Sequence, residues 1–135
     1  MSQPPIGQPV WIEHGLVLAI HDRQLAEHGG AEGLRDETLL ESALARPLNH
    51  LLYTGADIID LVAKYTVGIV QNHPFVDGNK RTGFVVGVLF LELNGYRFVA
   101  SEEDAAQAVL ELAAGTIDED SFRDFLRANV EKSTG

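Results

Sequence analysis

The chain contains no cysteine. That absence removes disulfide frameworks, thiolate zinc sites and cysteine nucleophiles, and makes a reducing compartment the default expectation. Cations are also scarce: 10 Lys and Arg stand against 20 Asp and Glu, a formal charge of −10 with histidines neutral. A surface of that sign opposes nonspecific binding to DNA or RNA, which is driven by cationic side chains displacing counterions from phosphates, so no direct nucleic-acid partner is expected. Long hydrophobic runs are missing too. The most apolar stretch, Phe84 to Leu93, is short and contains Glu92, whereas a membrane-spanning helix needs about twenty apolar positions. No membrane is implied. The opening MSQPPIGQPVW has neither the basic nor the apolar region of a secretory signal, so the expected location is cytoplasmic.

What is present is the composition of an ordinary globular protein. Of 135 residues, 45% are hydrophobic and 22% charged, far from the regime of disordered chains. A chain of this size buries roughly two thirds of the surface its unfolded form exposes, enough for one core without covalent staples. Residues 1–135 are therefore expected to form a single domain.

Glycines, prolines and capping residues divide the chain into about six helical segments, which predicts an all-α fold: a compact bundle around a central buried hydrophobic helix. The first segment runs from about Ile12 to Glu27, with Leu16, Ile20 and Leu25 on its apolar side, and stops at Gly29-Gly30. Asp36 is the expected N-cap of the second, which should end at Arg46 because Pro47 lacks an N–H and clashes with the preceding turn. Residues 48–56 show no clean helical period and are read as a loop or short hairpin. Asp57, with Asp60 three positions on, caps a third helix that Pro74 ends. The fourth runs from Asn79 to Asn94-Gly95; being apolar on nearly every face from Phe84 onward, it is the expected central helix. YRFVA forms a short extended piece, Ser101 caps a fifth helix and the acidic run at Asp118 opens a sixth.

The chemistry concentrates in His73-Pro74-Phe75-Val76-Asp77-Gly78-Asn79-Lys80-Arg81-Thr82-Gly83. Gly78 permits backbone angles that other residues resist, and a helix begins just after it. The first amides of a helix lack intrahelical partners and sit at the positive end of the macrodipole, so such an end attracts phosphate. Lys80 and Arg81 in that first turn oppose the dipole, and an anionic ligand would reverse the sign of their contribution. Asp77 and His73 are the residue types that hold a divalent cation and move a proton. Taken singly, Asp77-Gly78-Asn79 is an ordinary turn and cap, His73 an ordinary helix end, and Lys80 and Arg81 ordinary surface charge. Their coincidence within one short segment points to phosphoryl or nucleotidyl transfer.

The segment resembles the Fic/Doc family signature, HxFx[D/E]GN[G/K]R, at every specified position. Its NKR ending is similar to the death-on-curing (Doc) branch of toxins, as is GGAEGLRDETLLESALARP, residues 29–47. The resemblance implies that His73 is the general base for a target hydroxyl and that Asp77 holds Mg²⁺ bridging nucleotide phosphates. It implies that Gly78, Asn79 and Lys80 form an anion pocket largely through backbone N–H groups, with the Asn79 amide and the Arg81 guanidinium contributing directly, and that Phe75 anchors the loop. Residues 48–56 would correspond to the family's flap, which aligns a target segment by strand-like pairing. Lys80 stands where Fic adenylyltransferases usually have Gly, and Phe84 where they have a further Arg. The Doc branch thus implies ATP bound in the opposite sense and a protein Ser/Thr kinase, with elongation factor Tu as the expected target and arrest of translation as the result. The alternatives are nucleotidyl transfer by the same site and a catalytically silent module that binds nucleotide or antitoxin. No segment matches the inhibitory [S/T]xxxE[G/N] helix of Fic enzymes, so inhibition in trans by an antitoxin of the prevent-host-death kind is expected, within a type II toxin–antitoxin system.

Two other features carry less. His14, His21 and His28 recur every seven residues, which separates neighbours by about 10.5 Å along a helix, too far to share one ion; a structural or surface role is expected. Between residues 101 and 124 eight acids face the single Arg123, forming a solvated face or a docking surface for a basic segment.

Overall fold

A computed structural model describes residues 8–133. The chain folds into six helices and one pair of very short strands, in the order α1 (His14–His28), α2 (Glu37–Thr54), α3 (Ile58–Asn72), α4 (Asn79–Leu93), β1 (Tyr96–Phe98), α5 (Glu102–Ala114), α6 (Glu119–Ala128) and β2 (Val130–Lys132). The class is all-α, and no helix is long and apolar enough to cross a membrane among the described residues.

Most helix starts follow from local chemistry. Asp36 accepts from Leu39 N–H, Ser101 from Asp104 and Asp118 from Ser121, while Asp57 and Asp60 form a reciprocal capping box. Each such cap satisfies amides that the helix itself leaves bare, and is worth about 1 kcal/mol.

The central helix is α3, not α4. Ten of its residues, from Ile59 to Val70, are buried, and α2, α4, α5 and α6 all pack on it while α1 packs on α4. In α4 the buried face is Thr82, Gly83, Val86, Gly87, Phe90 and Leu91; Phe84, Val85, Val88 and Leu89 are half-buried on its other side. That second side is covered only by smaller pieces, among them β1 and α5. β1 pairs antiparallel with β2, Phe98 opposite Val130, which gives the extended YRFVA piece its partner. Tyr65 and Phe90 meet in the core with ring centroids 4.9 Å apart, and Trp11 stacks on Phe90 at 5.8 Å.

Helix α2 does not stop at Pro47. It continues to Thr54, with Pro47 buried inside it, so the loop or hairpin expected over residues 48–56 is two further helical turns closed by Gly55 in the left-handed conformation. Proline at that point deprives the Ala43 carbonyl of its helical donor. The structure tolerates this because α3 presents Gly68 there: a Cβ at Gly68 would lie only 3.2 Å from the Ala43 oxygen. On α1 the buried residues are Val17, Ile20, His21 and Gln24; Leu16, expected on the apolar side, is exposed.

Candidate functional site

The site is a loop, residues 73–78, strung between the end of α3 and the start of α4. The crossing of those helices fixes its two ends. Thr66 donates its hydroxyl to the Gly83 carbonyl at 2.8 Å, and a Cβ at Gly83 would stand 3.0 Å from Val70 and 3.2 Å from the Thr66 carbonyl. Only the bare Cα lets α4 approach α3 this closely.

His73 caps α3 in the left-handed conformation, φ 50° and ψ 55°, an uncommon state for a residue with a side chain. Arg35 holds it there. Its Nε donates to the His73 carbonyl at 2.6 Å and its Nη2 to the Asn72 carbonyl at 2.9 Å, a cation placed on the negative end of the helix. The stretch around Arg35 runs antiparallel to the loop: Arg35 and Asp36 N–H both bond the Pro74 carbonyl, Val76 N–H bonds Gly33, and Leu34 bridges Phe75. The imidazole of His73 is exposed.

Phe75 drives the loop into the core at 1% exposure. Its peptide N–H donates to Asn79 Oδ1 at 3.0 Å, and its carbonyl accepts from Asn79 Nδ2 at 2.9 Å. The Asn79 amide, expected to face phosphate, is thus turned inward and spent on the backbone of Phe75. A buried peptide group left unpaired would be costly, which explains the choice.

Asp77 is exposed, and two backbone amides converge on its carboxylate: Ala31 N–H at 3.2 Å and Gly78 N–H at 2.8 Å. These bonds, the Ala31 one foremost, with help from the Arg81 charge, hold the carboxyl below its ordinary range. Gly30 makes room for the arrangement: its φ is +127° and a Cβ there would meet Asp77 Oδ2 at 2.9 Å. The turn then passes through Gly78 at φ 79° into α4.

The first intrahelical bond of α4 is Thr82 N–H to Gly78. No cap serves the helix, and the N–H groups of Asn79, Lys80 and Arg81 find no acceptor among the described residues. Lys80 and Arg81 are exposed and neither enters an ion pair among the described residues. His73, Asp77, Lys80 and Arg81 are thus exposed in and just after the loop, beside three bare amides at a helix N-terminus.

These residues fit a phosphate chain with a hard cation. Three amides and two unpaired cations suit the phosphates. An ionised carboxylate with lone pairs to spare suits Mg²⁺, which takes one or two carboxylates and fills its shell with phosphate and water. No three metal-ligating side chains converge among the described residues.

Residues 48–56 do not reach this site. Helices α2 and α3 run antiparallel: Asn72 bonds the Leu39 carbonyl near one end, and Arg46 and Lys64 share Glu119 further along. The C-terminal turns of α2 therefore lie beside the start of α3, roughly 13 Å or more along the axis from His73. Being helical, they offer no strand edge. A shallow depression there is lined by Arg46, Asn49, His50, Tyr53, Thr54 and Lys64 and includes no motif residue.

Sequence reasoning missed Arg35, Gly30 and His21, the last buried beneath the loop with Nε2 2.8 Å from the Asp77 carbonyl. Of the other two histidines, His14 lies 2.8 Å from Glu37 and His28 stands beside Glu27. The heptad spacing drew attention to the relation between the histidines, whereas each answers to its own surroundings.

Comparison with known proteins meets this geometry. The model of the Fic/DOC family matches residues 11–91, the span from Trp11 into the last turn of α4. The chain is 32% identical over 112 residues to the protein kinase doc of Escherichia phage P1, covering 82% of this chain and 88% of that protein. It is 35% identical over 100 residues to the toxin Doc of Mycolicibacterium smegmatis, covering 70% of this chain and 75% of that protein.

Proposed function

The chain belongs to the Fic/DOC family, and from that premise we propose that it is a toxin acting as a protein kinase, transferring the γ-phosphate of Mg–ATP to a Ser or Thr hydroxyl. The observation that carries the reading is the set of bare amides at Asn79, Lys80 and Arg81 flanked by exposed His73 and Asp77. The name of the phage relative supports phosphoryl transfer, and the name of the mycobacterial relative supports a toxin.

His73 takes the proton of the acceptor hydroxyl as that oxygen attacks the γ-phosphorus and the bond to the bridging oxygen breaks, releasing ADP, a role that requires a neutral ring reachable by solute. The three amides donate to oxygens of the terminal phosphate, where negative charge gathers during transfer, while Lys80 and Arg81 add charge at the same place. Asp77 would hold Mg²⁺, which supplies charge neutralisation on the phosphates when bound. The Asn79 side chain acts one step back, by fixing the turn from which the amides point.

Phe84 favours γ transfer over nucleotidyl transfer. It packs edge-on against Phe98 with centroids 5.6 Å apart, so no second cation stands one turn beyond Arg81 to grip another phosphate. The target we propose is a translation factor, elongation factor Tu, with translation arrest as the outcome. The regulator is an antitoxin of the prevent-host-death type. The acidic α5 and α6 surface remains available for a basic partner segment.

ATP labelled separately at its α- and γ-phosphates, incubated with elongation factor Tu and Mg²⁺, tests this. Transfer of γ label alone, abolished in His73→Ala, is the expected result. Transfer of α label would make the protein a nucleotidyltransferase, and binding with neither label transferred would make it a silent module.

A further inference from the structure

We infer that His21 on α1 is a positioning residue for the phosphate site, acting through its hydrogen bond to the Asp77 carbonyl. The inference rests on the proposed role of the α4 N-terminus. His21 is 3% exposed and its Nε2 lies 2.8 Å from the Asp77 oxygen. A carbonyl only accepts, so Nε2 carries the proton. The ring lies flat on Phe75, centroids 3.8 Å apart and 8° between planes, and Gly78 sits over its edge, where a Cβ would be 3.6 Å from Nε2.

The consequence is in the helix register. Were α4 one turn longer, the Asp77 carbonyl would accept from Arg81 N–H and the Phe75 carbonyl from Asn79 N–H, each pair being four residues apart. His21 occupies the first carbonyl and the Asn79 amide the second. The left-handed turn at Gly78, φ 79°, takes the chain off the helical path, and these two bonds hold the Asp77 and Phe75 peptides in that turn, so the leading amides stay bare for a ligand. The same bond fixes the peptide from which the Asp77 carboxylate projects. His21 thus shapes the site without touching substrate.

Two variants separate the hydrogen bond from ring packing. His21→Gln keeps a donor at the reach of Nε2 and loses the ring; His21→Phe keeps a stacking ring and loses the donor. Mg–ATP affinity by calorimetry should weaken about tenfold in His21→Phe, the effect of one lost hydrogen bond on the turn, and stay within about threefold of wild type in His21→Gln. In the unliganded protein, exchange of the Ala31 and Gly78 amides, both held by Asp77, should quicken in the Phe variant and not in the Gln variant. A Phe variant indistinguishable from wild type, or a Gln variant as impaired as Phe, would overturn the inference. Nitrogen-15 NMR of the wild-type imidazole needs no variant to fold: the proton should sit on Nε2, and a proton on Nδ1 alone would overturn it too. A wild-type protein that neither binds Mg–ATP nor transfers label would sink the proposed kinase, while amide exchange and the ring tautomer would still decide the role of His21.

Discussion

Replacing Asn79 with Ala tests the internal logic of the site, because the sequence and the structure assign that side chain to different partners. In the structure it pairs both polar groups of the Phe75 peptide, at 3.0 and 2.9 Å, at positions where Phe75 is 1% and Asn79 7% exposed. Alanine leaves a buried N–H and a buried C=O without partners, at about 1–3 kcal/mol each, so a loss of about 2–6 kcal/mol is expected. Against a total stability of about 5–15 kcal/mol that is severe, and it corresponds to a fall in midpoint of roughly 10 °C. Urea unfolding followed through the single Trp11 reports the loss directly. Asn79→Asp, which keeps the acceptor and loses the donor, should also be destabilised. If the Ala variant unfolds within about 0.5 kcal/mol of wild type while losing affinity for Mg–ATP, the side chain serves phosphate and the inward arrangement is refuted.

Two further outcomes follow from the same geometry. Arg35→Ala removes both donors from the last carbonyls of α3; about 1–2 kcal/mol of stability should go, and kcat should fall more than KM because His73 loses its hold, with Arg35→Lys restoring charge but not the fork. Asp77 is held below its ordinary value of 3.8 in the native state, so its contribution to stability is complete above that value and disappears as pH falls through the lower native one. Acid titration of unfolding should show Asp77→Asn less stable than wild type at neutral pH and the two converging at the acid end; a constant difference across the range would contradict the assignment.

The sequence made the caps and the motif legible because they are local. Asp36, Asp57, Ser101 and Asp118 satisfy amides within three residues of themselves, and Gly78 followed by Lys80 and Arg81 marks a helix start with an unmet need for anions. What failed was decided across the chain. Pro47 breaks helices in isolation, yet α2 continues through it, packed closely on α3 at Gly68, far along the chain. The same continuation replaces the loop or hairpin expected over residues 48–56 with helix as far as Thr54. The choice of α4 as the central helix rested on counting apolar residues, whereas burial depends on how many neighbours arrive, and α3 receives more of them. His21 and Arg35 were invisible as site residues because their partners stand 56 and 38 positions away.

On the proposed reading, the bare amides of the α4 N-terminus are where the terminal phosphate of ATP should bind. Backbone amide NMR of the wild-type protein titrated with Mg–ATP, and separately with Mg–ADP, tests it most directly. The resonances of Asn79, Lys80 and Arg81 should shift strongly with Mg–ATP and only weakly with Mg–ADP, which lacks the γ-phosphate. Equal shifts with both nucleotides, or shifts confined to other parts of the chain, would contradict the account.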